Sequence, residues 1–136
     1  MIRSQKLLCL VYAAIAIFAL LGTWSQNIHY MKGLADFLVD AKANPAARSV
    51  TVDVFLVALS ASFFMVWEAR RLGMRFVWAY IFFGFTVAIS FTFPLFLIAR
   101  EFKLAGDKDA VTPVDKILLV VVTAVAAFLY WFTLFR

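Results

Sequence analysis

Residues 76–98 run for 23 positions without one charged side chain. As a helix the run would reach roughly 35 Å, enough to cross the ~30 Å apolar core of a bilayer. Arginines bracket it, with Arg70, Arg71 and Arg75 before it and Arg100 after it. The chain around it is 65% hydrophobic and 15% charged, whereas an ordinary soluble domain is about half apolar and a quarter charged. The apolar excess collects in four blocks. This pattern predicts an all-α polytopic membrane protein, a single transmembrane domain forming a four-transmembrane-helix bundle, with helices over about 7–24, 45–72, 76–98 and 113–134.

The formal net charge of +5 fits basic residues that fix orientation and meet anionic headgroups, so membrane lipids are the expected partners and nucleic acid is not. Cys9 is the one cysteine and cannot form an intramolecular disulfide or build a metal site alone; His29 is the one histidine, which excludes histidine-cluster sites. No metal or cofactor is expected.

Arg3 and Lys6 precede the first block, as in a signal peptide, but the run ends in Gly22-Thr23-Trp24 without a small-x-small cleavage site, so a retained helix is predicted. Its Ala13, Ala14, Ala16 and Ala19 allow close helix contact. In the following connection Tyr30, Leu34, Phe37, Leu38 and Ala41 recur at helical spacing, which predicts an amphipathic interfacial helix over about 31–43, as a strut at headgroup level or a lid. Asn44 and Pro45 are a cap and a first helical residue, and Gly73 is the stop of that second helix.

Within the third block Tyr80, Gly84, Ala88 and Thr92 form an i,i+4 ladder, mostly of small residues, suited to close packing in lipid. Pro94 is expected to kink its last turns by leaving the Ser90 carbonyl unpaired. The fourth block opens with Thr112 as cap, Pro113 as first helical residue and Asp115 in the first turn, and carries Tyr130 and Trp131 near its far end. Four crossings put both termini on one face. The two faces carry nearly equal numbers of Lys and Arg, but the density of Arg70, Arg71 and Arg75 favours cytoplasmic termini in a bacterial inner membrane.

Charged groups at membrane depth mark candidate sites. Asp53 is either an interface carboxylate paired with Arg48 or Arg100, or a partly buried proton donor or cation site. Glu68, with Arg70, Arg71 and Arg75, is either a headgroup anchor or a clamp for an anionic lipid or diphosphate, in which Glu68 holds an arginine in place. Trp67, Trp78, Tyr80 and Arg100 complete this candidate ligand-binding set. Asp53 and Glu68 lie roughly 22 Å apart along one helix, too far for a shared acid–base site. A straight third helix would bring Arg100 and Glu101 to the Asp53 end. No DDxxD, HExxH, CxxC, Walker loop, GxGxxG or Ser-His-Asp set supports an enzyme.

Asn44-Pro45-Ala46-Ala47, Asp53, Trp67-Glu68-Ala69-Arg70-Arg71-Leu72-Gly73, Trp78, Tyr80, Ser90-Phe91 and Pro94-Leu95-Phe96-Leu97 with Arg100 together resemble the DUF2834 family of small bacterial integral membrane proteins, through the third helix. The family brings no activity to carry over. A looser architectural likeness is to small membrane isoprenoid and terpene cyclases. The expected function is therefore non-enzymatic: binding a hydrophobic or isoprenoid-like lipid, or serving as accessory subunit of a larger membrane complex. The alternatives are a cyclase-like enzyme using Asp53 or Glu68 as acid, and a small transporter working as a homodimer.

Overall fold

A computed structural model of the protein describes residues 3–30, 33–104 and 113–135. Every element among the described residues is helical: α1 (Arg3–Asn27), α2 (Leu34–Asp40), α3 (Pro45–Arg71), α4 (Val77–Phe83), a π-helical turn (Gly84–Ala88), α5 (Ile89–Lys103) and α6 (Pro113–Phe135). Four stretches are long and apolar enough to cross a membrane: Gln5–Asn27, Pro45–Arg71, Val77–Lys103 and Pro113–Phe135. The protein is an all-α, multi-pass membrane protein.

Local chemistry sets the start of α3. The Asn44 side chain accepts the Ala47 amide N–H at 2.8 Å, and Pro45 takes the first helical position, where no donor is needed. At the other end Gly73 sits at φ 61° and Met74 N–H returns to the Ala69 carbonyl at 2.8 Å, closing the helix in a tight reversal. The interfacial segment is helical only over Leu34–Asp40, shorter than expected, and Met31 and Lys32 lie outside the described residues. Tyr30 tethers it: its Oη donates to Asp40 Oδ2 at 2.7 Å and its ring meets Phe37 edge to face at 5.6 Å, while Thr51 Oγ1 of α3 shares its one proton between the Ala41 carbonyl at 2.9 Å and the Ala47 carbonyl of its own helix at 2.8 Å.

The third apolar stretch takes a different course from the straight helix expected over 76–98. Ala88 adopts an extended backbone, φ −173° and ψ 129°, immediately before α5. There the chain doubles back. The rings of Tyr80 and Phe96 lie 5.8 Å apart, whereas a straight helix would separate these residues by roughly 24 Å. α4 and its π turn, 7 and 5 residues long, reach roughly 18 Å inward, and α5 carries the chain out again. Pro94 lies within α5, and the reversal falls six residues before it. The small-residue ladder is used, but between the two arms of this hairpin. A Cβ at Gly84 would lie 3.0 Å from Thr92 Oγ1 and 2.9 Å from Ile89 Cδ1.

α1 packs chiefly along α5, with Ala16 buried and Ala13 and Ala19 half-buried on that helix. Gln5 Nε2 donates to the Leu104 carbonyl at 3.2 Å, so the start of α1 meets the end of α5. The apolar core lies at this end and joins Met65 and Ala69 of α3, Met74, Val77 and Ile81 of the descending arm, and Phe96 of α5. In lipid such contacts stabilise through close van der Waals packing rather than through removal from water. The start of α1, the end of α3, the start of α4 and the end of α5 thus share one end of the unit.

The chain divides at Ala105–Gly106, and α6 belongs to the second unit. By itself α6 is apolar with none of its residues buried. Thr123 and Thr133 donate to the Leu119 and Leu129 carbonyls of their own helix, at 2.7 and 2.8 Å. Phe128 stacks on Phe132 near its far end. The expected cap Thr112 lies outside the described residues.

Candidate functional site

The last turns of α3 and α5 bring two carboxylates and two guanidiniums together. Glu68 Oε1 accepts from Arg71 Nη2 and from Arg100 Nε, both at 2.7 Å, and Arg100 Nη1 donates to Glu101 Oε1 at 3.0 Å. The chain of charges therefore alternates, Arg71–Glu68–Arg100–Glu101, and sums to zero. Its middle is dry: the Glu68 and Glu101 side chains are 6% and 7% exposed and Arg100 24%, while Arg71 at 60% reaches the surface. Arg71 follows Glu68 by one helical turn, which sequence spacing indicates. Arg100 arrives from 32 residues away because the hairpin returns it.

This corrects one expectation. Arg100 and Glu101 stand at the Glu68 end, not the Asp53 end, because the third stretch doubles back on itself. The expected pairing of Asp53 with Arg100 is excluded by the same geometry. Asp53 is exposed on α3, roughly 12 Å from the Pro45 end, and makes no ion pair with Arg48 or any other described residue. Both guanidiniums meet Glu68 through the same oxygen, Oε1.

The other candidate residues separate. Arg75 and Tyr80 line an open depression of about 510 Å³ with Gly73, Phe76, Ala99 and Lys103. Trp67 and Trp78 are exposed elsewhere on the surface, and Arg70 is exposed without an ion pair among the described residues. Phe76 holds a left-handed backbone, φ 63° and ψ 21°, a strained state for an aromatic residue, and its ring is 80% exposed at the rim of the depression. Lys103 was not singled out from the sequence. Only the reversal at Ala88 brings it beside Arg75.

A second, shallower groove of about 410 Å³ lies along α3 and α5, lined by Leu56, Val57, Ser60, Ala61, Phe64 and Phe93. Its wall joins an edge-to-face series: Phe64 meets Phe93 at 6.0 Å and Phe96 at 6.3 Å, and Phe96 meets Tyr80. Ser60 does not offer its hydroxyl proton to the groove, since Oγ donates to the Leu56 carbonyl at 2.9 Å. Among the described residues, no three His, Cys, Asp or Glu side chains come close enough together to hold a metal ion.

Residues 11–102 match the family model described as protein of unknown function DUF2834. The chain belongs to the DUF2834 family. The DUF2834 stretch begins in the first third of α1 and ends one residue before the end of α5, so it includes the whole reversal, both members of the Glu68–Arg100 pair and the apolar groove. α6 lies beyond it. A search of curated proteins gives no match, and a search of solved structures gives none.

Proposed function

We propose that the protein is a non-catalytic membrane protein that holds a hydrophobic or isoprenoid-like lipid in the groove between α3 and α5. One observation carries this reading: an open, aromatic-walled groove stands on spanning helices while both buried carboxylates of the unit are committed to guanidiniums. A groove at that depth meets acyl or polyene chains, and the edges of Phe64 and Phe93 suit a flat or unsaturated one. Native mass spectrometry of protein released gently from its own membrane tests it. A stoichiometric non-bulk lipid is expected with the wild type and lost with Ser60→Phe, which fills the groove from an exposed position. Release with larger subunits and no special lipid would overturn the reading in favour of an accessory subunit.

A cyclase-like enzyme is the second reading, favoured by the exposed Asp53 carboxylate one turn before Leu56 and Val57 of the groove. It requires Asp53→Asn to abolish turnover of the retained lipid while leaving its retention unchanged.

A further inference from the structure

We infer that the depression at the opposite end of α3 from Asp53 is a binding site for the phosphate of an anionic membrane lipid, held between Arg75 and Lys103. This site is separate from the groove, and neither requires the other. Arg75 and Lys103 are 28 positions apart, yet both line one depression because the hairpin returns α5 to the Gly73 turn. Neither makes an ion pair among the described residues. The lining contains no acid, and the carboxylates nearest in the fold, Glu68 and Glu101, already bind guanidiniums. Two cations that share a hollow without a counter-charge repel, and an anion between them removes that cost.

The residue types narrow the class. A guanidinium fork matches two phosphate oxygens, and an ammonium adds a point charge that adapts to a third. The remaining walls are Met74, Phe76, Tyr80 and Ala99, an apolar surround that suits an ester with a chain attached better than a free, fully hydrated ion. The position agrees. The depression sits where α3 ends and α4 begins, at the boundary of the apolar stretches, where headgroup phosphates lie. The exposed ring of Phe76 at the rim lies where it meets the glycerol and upper acyl region.

Full-length protein equilibrated with equal amounts of phosphatidylglycerol and phosphatidylcholine of the same acyl chains, then read by native mass spectrometry, tests the site. One phosphatidylglycerol per chain should be retained in at least tenfold preference. Arg75→Gln and Lys103→Gln should each reduce that preference severalfold, and Lys103→Glu should abolish it. Lys6→Gln removes the same charge from an exposed position at the same end and should leave the preference unchanged. An equal loss with Lys6→Gln would mean diffuse surface charge and overturn the proposal. Displacement of the lipid by millimolar inorganic phosphate would overturn the lipid as the source. Loss of headgroup preference with the groove lipid still bound would refute this site alone, whereas loss of the groove lipid with headgroup preference intact would refute only the groove.

Discussion

Arg100 holds two buried carboxylates at once, through Nε to Glu68 and Nη1 to Glu101. Removing it strands charge in a dry place, so Arg100→Ala should cost about 3–5 kcal/mol, whereas Arg71→Ala, at the exposed end of the same series, should cost about 1 kcal/mol or less. Thermal unfolding of the two variants in one detergent would check the order, and equal losses would contradict the burial argument. Gly84 is sensitive for a steric reason. A methyl there must displace the Ile89 and Thr92 side chains, and Gly84→Ala should destabilise by about 1–3 kcal/mol. Tyr30 reports on the interfacial helix. Partial desolvation and then its bond to Asp40 raise the phenol to about 12, above the usual ~10. The folded state thus favours the neutral phenol. The contribution of the contact is complete below pH about 10 and is lost as pH rises through about 12. Subtracting a Tyr30→Phe ultraviolet titration from the wild type's should give a midpoint near the upper value, and an ordinary midpoint would show the α2 tether absent.

The helices were legible where local chemistry writes its own boundary. Asn44 and Pro45 start α3 as expected because cap and proline act within one turn, and the Arg70–Gly73 stop works for the same reason. The reversal within the third stretch was not legible. Ala88 is a good helix former, carries no mark of a turn, and sits in an uncharged run whose one visible breaker is Pro94. What turns the chain there is contact at long range: Gly84 against Thr92, Tyr80 against Phe96, Glu68 against Arg100. The assembly of Phe64, Phe93 and Phe96 into a groove wall depends on the same reversal. A test follows at this scale. With Cys9→Ser as background, a single cysteine at Lys103 should react with a membrane-impermeant thiol reagent from the same face as one at Lys6, and from the face opposite to one at Lys42. Labelling of Lys103 with Lys42 would mean a straight crossing.

For the molecule as a whole, the reversal changes the charge ledger that orientation depends on. Arg3, Lys6, Arg70, Arg71, Arg75, Arg100 and Lys103 all belong to the end where α1 starts, against Lys42 and Arg48 among the described residues of the other end. Sequence counting left the faces nearly even because it sent Arg100 and Lys103 across. The asymmetry now predicts a cytoplasmic N-terminus with the Arg75–Lys103 depression facing the same compartment, where anionic lipids bear on it. Protease protection of an N-terminal tag in sealed right-side-out and inverted vesicles would check it. The hairpin also bears on how the protein is made. An elementary charge moved against the membrane potential involves about 2.3 kcal/mol per 100 mV. If the labelling pattern predicted above holds, Arg75, Arg100, Glu101 and Lys103 do not have to traverse the bilayer. Only the hairpin's uncharged residues 76–99 would then have to enter the apolar layer.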